Sequence, residues 1–405
     1  MGRYRIIDLL GRGGHAEIYL ARVEGEGGFS KPVALKRQRG QSSPQTSSRR
    51  ALLAEARLNA LLDHPNIASV YDIFEEDGEL ILVMEYLHGL NLRQLCQQLY
   101  AAGQLMPVAM ALHIGAELLA GLAHAHSARD ERGSPLQLIH RDVSPENVFL
   151  CANGSVKLTD FGIARSIIAP RDTRIGVVRG KARYLSPEQA RGEELEVGTD
   201  VFAIGLVLYE LLTGVPALEG DSERELMLQT QQVNPATVLQ YRQDVHERVL
   251  TILALALAPH PSQRYPSAQA MARDLRAVLS WLEPSYSQID LKAFLDSLCG
   301  PMLEQQWRRI WQDQSTQVAE IISATPSNAS EGHTSSEHTR GMALGASAQP
   351  ENERLSKDEE TGASTSQRET SSAKEGAKSK TSARRGVDLE SLRRAINEAY
   401  DPEEK

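Results

Sequence analysis

The side chains best able to do chemistry together sit in one short stretch, Ile139–Leu150, which reads IHRDVSPENVFL. It brings a histidine, an arginine, an acid, a proline and an asparagine into one turn between two apolar runs. A second acid follows in Leu158–Gly162, LTDFG. Two carboxylates, a carboxamide and a glycine-punctuated turn are what a site needs to hold a divalent metal and a polyphosphate against a hydroxyl. Hard oxygen donors of this kind suit magnesium. Phosphoryl transfer needs little covalent help; it needs positioning and neutralisation of spread negative charge.

Those residues need elements that bring them to one cleft. The spacing of Asp142 and Asp160 leaves room for a short hairpin, with strands over 148–150 and 156–158 and a turn at Asn153-Gly154. At this point the chain resembles the protein-kinase family, in the style of the bacterial Hanks-type (eukaryotic-like) serine/threonine protein kinases. H-R-D-x-x-x-x-N is carried by His140-Arg141-Asp142 through Asn147, and D-F-G by Asp160-Phe161-Gly162. The resemblance implies that Asp142 orients or accepts the substrate hydroxyl. It also implies that ATP is the donor and that Asn147 and Asp160 hold Mg²⁺, with Mn²⁺ as the alternative ion.

Upstream, Gly11-Arg12-Gly13-Gly14-His15-Ala16 lies between expected strands over 4–10 and 18–23. Glycines let a hairpin backbone approach phosphate oxygens, and its N–H groups can cradle negative charge. Such a turn alone reads equally well as a plain hairpin. Its weight comes from Lys36, which follows on a strand in V-A-L-K. The resemblance implies that Lys36 binds the α and β phosphates. It makes Glu55, on a helix expected over 50–63, the ion-pair partner that positions Lys36. Ala16 replaces the family's third glycine, and Asn59 replaces an apolar residue of that helix. Ile18, Ala34 and Phe149 would sandwich adenine, the backbone of Glu85 and Leu87 would hydrogen-bond it, and Met84 would gate the space behind. Ordinary core would use the same apolar residue types.

Downstream, the segment 162–188 resembles an activation loop, with Ser186-Pro187-Glu188 in place of A-P-E. Thr173, between Arg171 and Arg174, reads as a phosphorylation site or as a plain exposed threonine. Two departures go together. Ser144 stands where the serine/threonine kinases carry lysine, and Lys181 where they carry threonine, so the catalytic cation is expected to have moved to Lys181. Asp200 is expected to brace the His140-Arg141-Asp142 backbone, and Arg264 to pair with Glu188.

The implied fold class is α+β and bilobal. An antiparallel β-rich N-lobe with one main helix spans 1–85, and a larger, mainly helical C-lobe spans 86–282. Leu295, Leu298, Leu303, Trp307 and Trp311 suggest a helical extension over 283–312. Residues 313–385 are rich in Ser, Thr, Glu and Gly and lack Phe, Trp and Tyr. They bury too little apolar surface to order. Leu389, Leu392, Ile396 and Tyr400 share one face of a short helix over 386–405, either a docking helix for an unidentified partner or a frayed end.

Composition narrows the function classes. A net charge of −9 and a pI of about 5.7 argue against nucleic-acid binding through a basic face. Three distant cysteines make no metal spacing and fit a reducing cytoplasm. The start of the chain shows no signal-peptide pattern. No apolar run reaches the ~18–20 residues of a membrane span, and the best candidate, 249–258, reads as a buried helix. The leading reading is therefore a cytoplasmic kinase acting on protein Ser/Thr hydroxyls, with transient self-association for trans-autophosphorylation. A pseudokinase scaffold is the alternative. The retention of Lys36, Glu55, Asp142, Asn147 and Asp160 argues against it, while Ser144 and Lys181 keep it open. A small-molecule kinase is disfavoured by the activation loop, the S-P-E motif and Arg264.

Overall fold

Alternating apolar and polar residues over the first 85 positions build an antiparallel sheet. Its strands are β1 (Tyr4–Arg12), β2 (Ala16–Glu24), β3 (Ser30–Gln38), β4 (Val70–Glu76) and β5 (Glu79–Glu85), in the order β1-β2-β3-β5-β4. The computed structural model describes residues 3–12, 16–38, 53, 56–76, 78–161, 181–220 and 222–324, with backbone alone at 38, 181, 223 and 312–324. One face of the sheet buries Tyr4, Ala21, Val33, Leu35, Ile81 and Val83. The other carries Ile18, Leu20 and Arg22 of β2, opposite Lys36, Ala34 and Pro32 of β3. Directly opposed residues share a face, so this second face looks toward the cleft. Of the helix expected over 50–63, residues 53 and 56–59 are described and are helical. Glu55 lies outside the described residues.

The sequence places the fourth strand at 67–74, but β4 begins at Val70. The residues before it pair elsewhere. Ala68 N donates to Leu158 O at 3.0 Å, and Leu158 N donates to Asn66 O at 2.8 Å. An apolar run that looks like a strand end is thus a tie between the small sheet and the second sheet.

That second sheet, β6 (Gly89–Asn91), β7 (Val148–Cys151) and β8 (Val156–Leu158), runs in the order β6-β7-β8. Gly89 is required by a close approach: a Cβ there would lie 2.1 Å from Leu150 O. Around this sheet stand α1 (Leu92–Ala101), α2 (Val108–His126), α3 (Pro187–Arg191), α4 (Val197–Thr213), α5 (Glu223–Gln229), α6 (Val238–Tyr241), α7 (Glu247–Ala256), α8 (Ala268–Leu282) and α9 (Gln288–Ala324). Asn91 and Gln94 close a capping box on α1, and Ser186 and Gln189 close one on α3. The fold is the expected α+β class, an antiparallel sheet in front of a larger helical part.

Two expectations need correction. One helix, α2, is long and apolar enough to cross a membrane by length and composition, although the sequence reading found no such run. Twelve of its nineteen residues are buried among neighbouring elements, which accounts for its apolarity. The helical backbone of α9 continues to Ala324, past the 313 at which the unordered tail was expected to start. No glycine or proline interrupts 302–324, so nothing local stops the helix. Residues 325–405, including the segment expected to form the terminal helix, lie outside the described residues.

Glu188 of α3 and Arg264 fix α3 to the loop before α8, and Gly198 and Thr199 bring in the start of α4. Arg264 Nη1 and Nη2 donate to the two carboxylate oxygens at 2.7 and 2.8 Å, with both side chains almost fully buried. Arg264 also donates to the carbonyls of Ala258, Gly198 and Pro259. Removing one partner strands a buried charge. Arg264→Ala is therefore expected to cost about 3–5 kcal/mol, read as a lower urea midpoint. Adding Glu188→Gln should recover part of that loss, and a single-variant cost under about 1 kcal/mol would show that the pair behaves as a surface one.

Candidate active site

The central loop is held from below by one buried acid. Asp200 sits in the first turn of α4. Its Oδ2 accepts the His140 N–H at 2.8 Å, and its Oδ1 accepts the Arg141 N–H at 2.9 Å. His126 Nε2 adds a third bond to Oδ2 at 2.8 Å. Burial alone would push this carboxyl up. The hydrogen bond and charge of His126, with His140, outweigh burial and hold it below the usual carboxylate range. The two backbone bonds fix a conformation that Arg141 rarely adopts, with φ at +67°.

His140 is fully buried and its ring holds the backbone of Asp142, two residues on. Its Nε2 lies 3.0 Å from Thr159 O, so Nε2 carries the proton and Nδ1 accepts from Asp142 N at 3.3 Å. The ring stands against Phe161 with centroids 4.5 Å apart. Asn147 Nδ2 donates to the backbone oxygen of Asp142 at 2.6 Å and to its Oδ2 at 2.9 Å. Thr159 N donates to Asn147 O at 2.9 Å. These bonds knit the residues expected at the two ends of the chemistry, Asp142 and Asn147, to the segment carrying Asp160. That acid has a φ of +56°, a second strained backbone at the site.

Across the cleft, Lys36 Nζ donates to Asp160 Oδ1 at 2.6 Å. Lys36 is 12% exposed and Asp160 34%. The sequence expectation paired Lys36 with Glu55, and the described contact is with Asp160. The donor set suits a hard cation: Asn147 uses its Nδ2 on Asp142, so its carboxamide oxygen and the Asp160 carboxylate are the oxygen donors such an ion would take. Among the described residues, no cluster of three or more His, Cys, Asp or Glu competes as a metal site.

The expected nucleotide surface is brought together in part. Ala34 is opposite Met84 across β3–β5 and opposite Leu20 across β2–β3, and Ile18 is opposite Lys36. Met84 lines a small cavity of about 10 Å³ together with Leu82, Asp160, Phe161 and the buried Asn59. The Glu85 side chain is engaged by Lys157 Nζ at 2.9 Å and by Ser69 N at 3.2 Å. The Glu85 N–H donates to Ser69 O at 2.8 Å. Among the described residues, no backbone hydrogen bond involves Leu87. Phe149 is opposite Lys157 on β7–β8 and shares its hinge-facing side. Gly11 and Arg12 close β1, and Ala16 opens β2. Gly13, Gly14, His15 and Thr173 lie outside the described residues, as does the Lys181 side chain. Ser144 Oγ is buried with no hydrogen-bond partner among the described residues.

Sequence reasoning missed Arg93 of α1. Its Nε donates to Glu146 at 2.9 Å and its Nη1 to Glu210 at 2.5 Å, and its Nη2 donates to the Tyr184 hydroxyl. Tyr184 in turn donates to Glu210. One arginine thus joins α1, the central loop, α4 and the segment before α3. A lone arginine on an amphipathic helix gives no sequence signal of this. His126 and Lys157 likewise carry no local sequence signal of their contacts.

Comparison with known proteins places these features. The family model described as protein kinase domain matches residues 4–275. The Myxococcus xanthus protein named tyrosine-protein kinase MasK is 35% identical over 299 residues, covering 74% of this chain and 46% of its own length. Serine/threonine-protein kinase PrkC of Bacillus subtilis is 36% identical over 275 residues, covering 68% of this chain and 40% of its own length. The chain thus spans less than half the length of these relatives. Among solved structures, the Mycobacterium tuberculosis PknI kinase domain aligns with a TM-score of 0.51 at 27% identity, over 68% of this chain and 96% of that one.

Burial lowers the imidazole pKa of His140 below its usual value, against the pull of Asp200 and Asp142. Burial acts in the same direction on His64 and His113. Each is neutral when folded and gains a proton more readily when unfolded. Their contribution is complete above about pH 6.5, the ordinary histidine value, and is lost as pH falls below it. Melting temperature should therefore drop by a few degrees between pH 7.5 and pH 5.5, before the carboxylates titrate. A flat profile over that range would contradict the buried neutral state of these rings.

Proposed function

The chain belongs to the protein kinase family, and on that footing we propose that it transfers the γ-phosphoryl group of ATP to serine and threonine hydroxyls of proteins. The observation that carries the reading is the knot of Asp142, Asn147 and Asp160, tied from below by Asp200 and faced by Lys36. The family uses ATP and a divalent metal, and the oxygen donors of Asn147 and Asp160 support magnesium. Bound there, the ion would neutralise charge developing on the phosphates.

This chain's own residues do the rest. Lys36 would exchange its bond with Asp160 for the α and β phosphates, which leaves that carboxylate to hold the ion. Gly11–Ala16 covers the phosphates. Ile18, Ala34 and Phe149 flank adenine, and the Glu85 carbonyl and Leu87 backbone read its edge. Asp142, held by Asn147, accepts the hydrogen bond of the incoming hydroxyl and takes its proton as the new P–O bond forms and ADP leaves. Three free thiols support a reducing cytoplasm. Thr173 is the proposed site of autophosphorylation between two copies.

Incubation of the purified chain with ATP and Mg²⁺, beside Asp142→Asn, tests the reading by phosphosite mapping. The parent should acquire phosphate on Thr173, and the variant should bind nucleotide yet transfer about 10²- to 10⁴-fold more slowly. Parent protein that binds nucleotide but phosphorylates neither itself nor a generic acceptor would favour a scaffold.

Ser144, buried and small, offers no cation to the γ-phosphate, and Lys181 supplies it instead. Lys181→Ala should lose most activity, whereas Lys181→Thr combined with Ser144→Lys should regain it. A fully active Lys181→Ala would remove Lys181 from the mechanism.

A further inference from the structure

The family match ends at residue 275, and α9 lies wholly beyond it. Its first turns are anchored in the helical part. Leu291, Leu295, Cys299 and Leu303 recur every four residues, and all are buried in the core that α2 and α8 share. Gln288 Nε2 donates to Asn153 O at 2.9 Å, at the tip of the β7–β8 hairpin. The next turns reach the linker between the two parts. His88 Nε2 donates to Leu303 O at 2.8 Å, and the His88 ring stands 5.5 Å from that of Trp307. The helix then meets the small sheet. The Arg22 guanidinium lies over the Trp311 ring at 5.5 Å, and the Trp307 and Trp311 rings pack at 5.4 Å. Arg309 approaches Asp8 of β1 at 3.6 Å. One helix therefore touches the helical part, the linker and the sheet.

The end of the sheet that it grips matters. Arg22 is 1% exposed and shares a face with Ile18 and Leu20 on β2. Across the hairpin that face continues as Lys36 and Ala34. The far end of β2 runs into the glycine-rich turn. A cation held over an indole face at one end of the strand thus limits how the other end can tilt.

We propose that α9 is a strap that sets the separation of the two walls of the cleft, with Trp311 acting through Arg22 as the positioning residue of β2 for nucleotide. The ligand in this proposal rests on the kinase reading; the contact itself does not.

The test uses the full chain with Trp311→Ala, Trp311→Phe, Arg22→Met and Arg22→Lys. Hydrogen exchange of the β2 amides is measured without nucleotide. The Kd of a fluorescent ATP analogue and the KM values for ATP and acceptor are measured beside it. Trp311→Ala and Arg22→Met should speed β2 exchange and raise Kd and KM for ATP about 5- to 20-fold, leaving acceptor KM and kcat within about twofold of the parent. Arg22→Lys keeps a cation over the ring and should recover most of the affinity, and Trp311→Phe should fall between. Arg309→Ala, in a solvent-exposed pair, should match the parent. Should Trp311→Ala fail to fold, Trp311→Phe and the two Arg22 variants carry the comparison. Unchanged β2 exchange and Kd in the ring-removing and charge-removing variants would overturn the strap. A parent that binds no nucleotide would overturn the kinase reading instead, and β2 exchange alone would then decide the strap.

Discussion

The structure of the cleft depends on the carboxylate of Asp200. It is buried at the start of a buried helix and accepts two consecutive backbone N–H groups of the central loop. A buried charge is tolerated only when it is thoroughly hydrogen-bonded, and His126 completes the set. The consequence is local strain in the right place. Arg141 is held at positive φ, which sends Asp142 out of the loop toward Asn147, and His140 turns inward to bind Thr159. His140 and Asn147 both bond to Thr159, the chain neighbour of Asp160. The small sheet enters this network through Lys36 and through the 66–68 tie to β8.

Much of this was legible in the sequence because the chemistry is dense and local. Asp142, Asn147 and Asp160 fall within nineteen residues, and the turn between the strands at 148–151 and 156–158 is marked by Asn153-Gly154. The Glu188–Arg264 and Asp200 contacts were legible only through the family resemblance, since nothing in local spacing joins residues so far apart. Other features were not legible at all. Arg93 reads as a solvated helix position, and its three acceptors come from three distant elements. The run over 67–69 reads as a strand, yet its hydrogen bonds go to β8. The stretch 109–126 of α2 reads as a long apolar buried helix, but His113, Glu117, His124 and His126 interrupt it, so no unbroken run of membrane-spanning length stands out. Only its position, surrounded by other helices, shows why a helix so apolar belongs in a core.

The extension past residue 282 shows a different limit. Its periodic leucines announce a helix that packs, but the sequence does not say against what. The Trp311–Arg22 contact joins residues nearly three hundred positions apart through a cation and a ring, an interaction without any sequence periodicity. The structure thereby adds a third brace to the two familiar in the cleft. Asp200 fixes the loop, Lys36 and Asp160 bridge the walls, and α9 spans them from behind.

The most direct test of the account is the Asp200→Asn variant, assayed for kcat, for nucleotide Kd and for hydrogen exchange at residues 139–143. An amide can accept one of the two backbone N–H groups but must turn its own N–H₂ toward the other, so the loop loses its fixed geometry while the nucleotide surface above is untouched. The account predicts a fall in kcat of about 100-fold, faster exchange at His140 and Arg141, and a nucleotide Kd within about twofold of the parent. A variant with parental kcat and unchanged exchange would contradict the claim that this one carboxylate holds the catalytic loop in place.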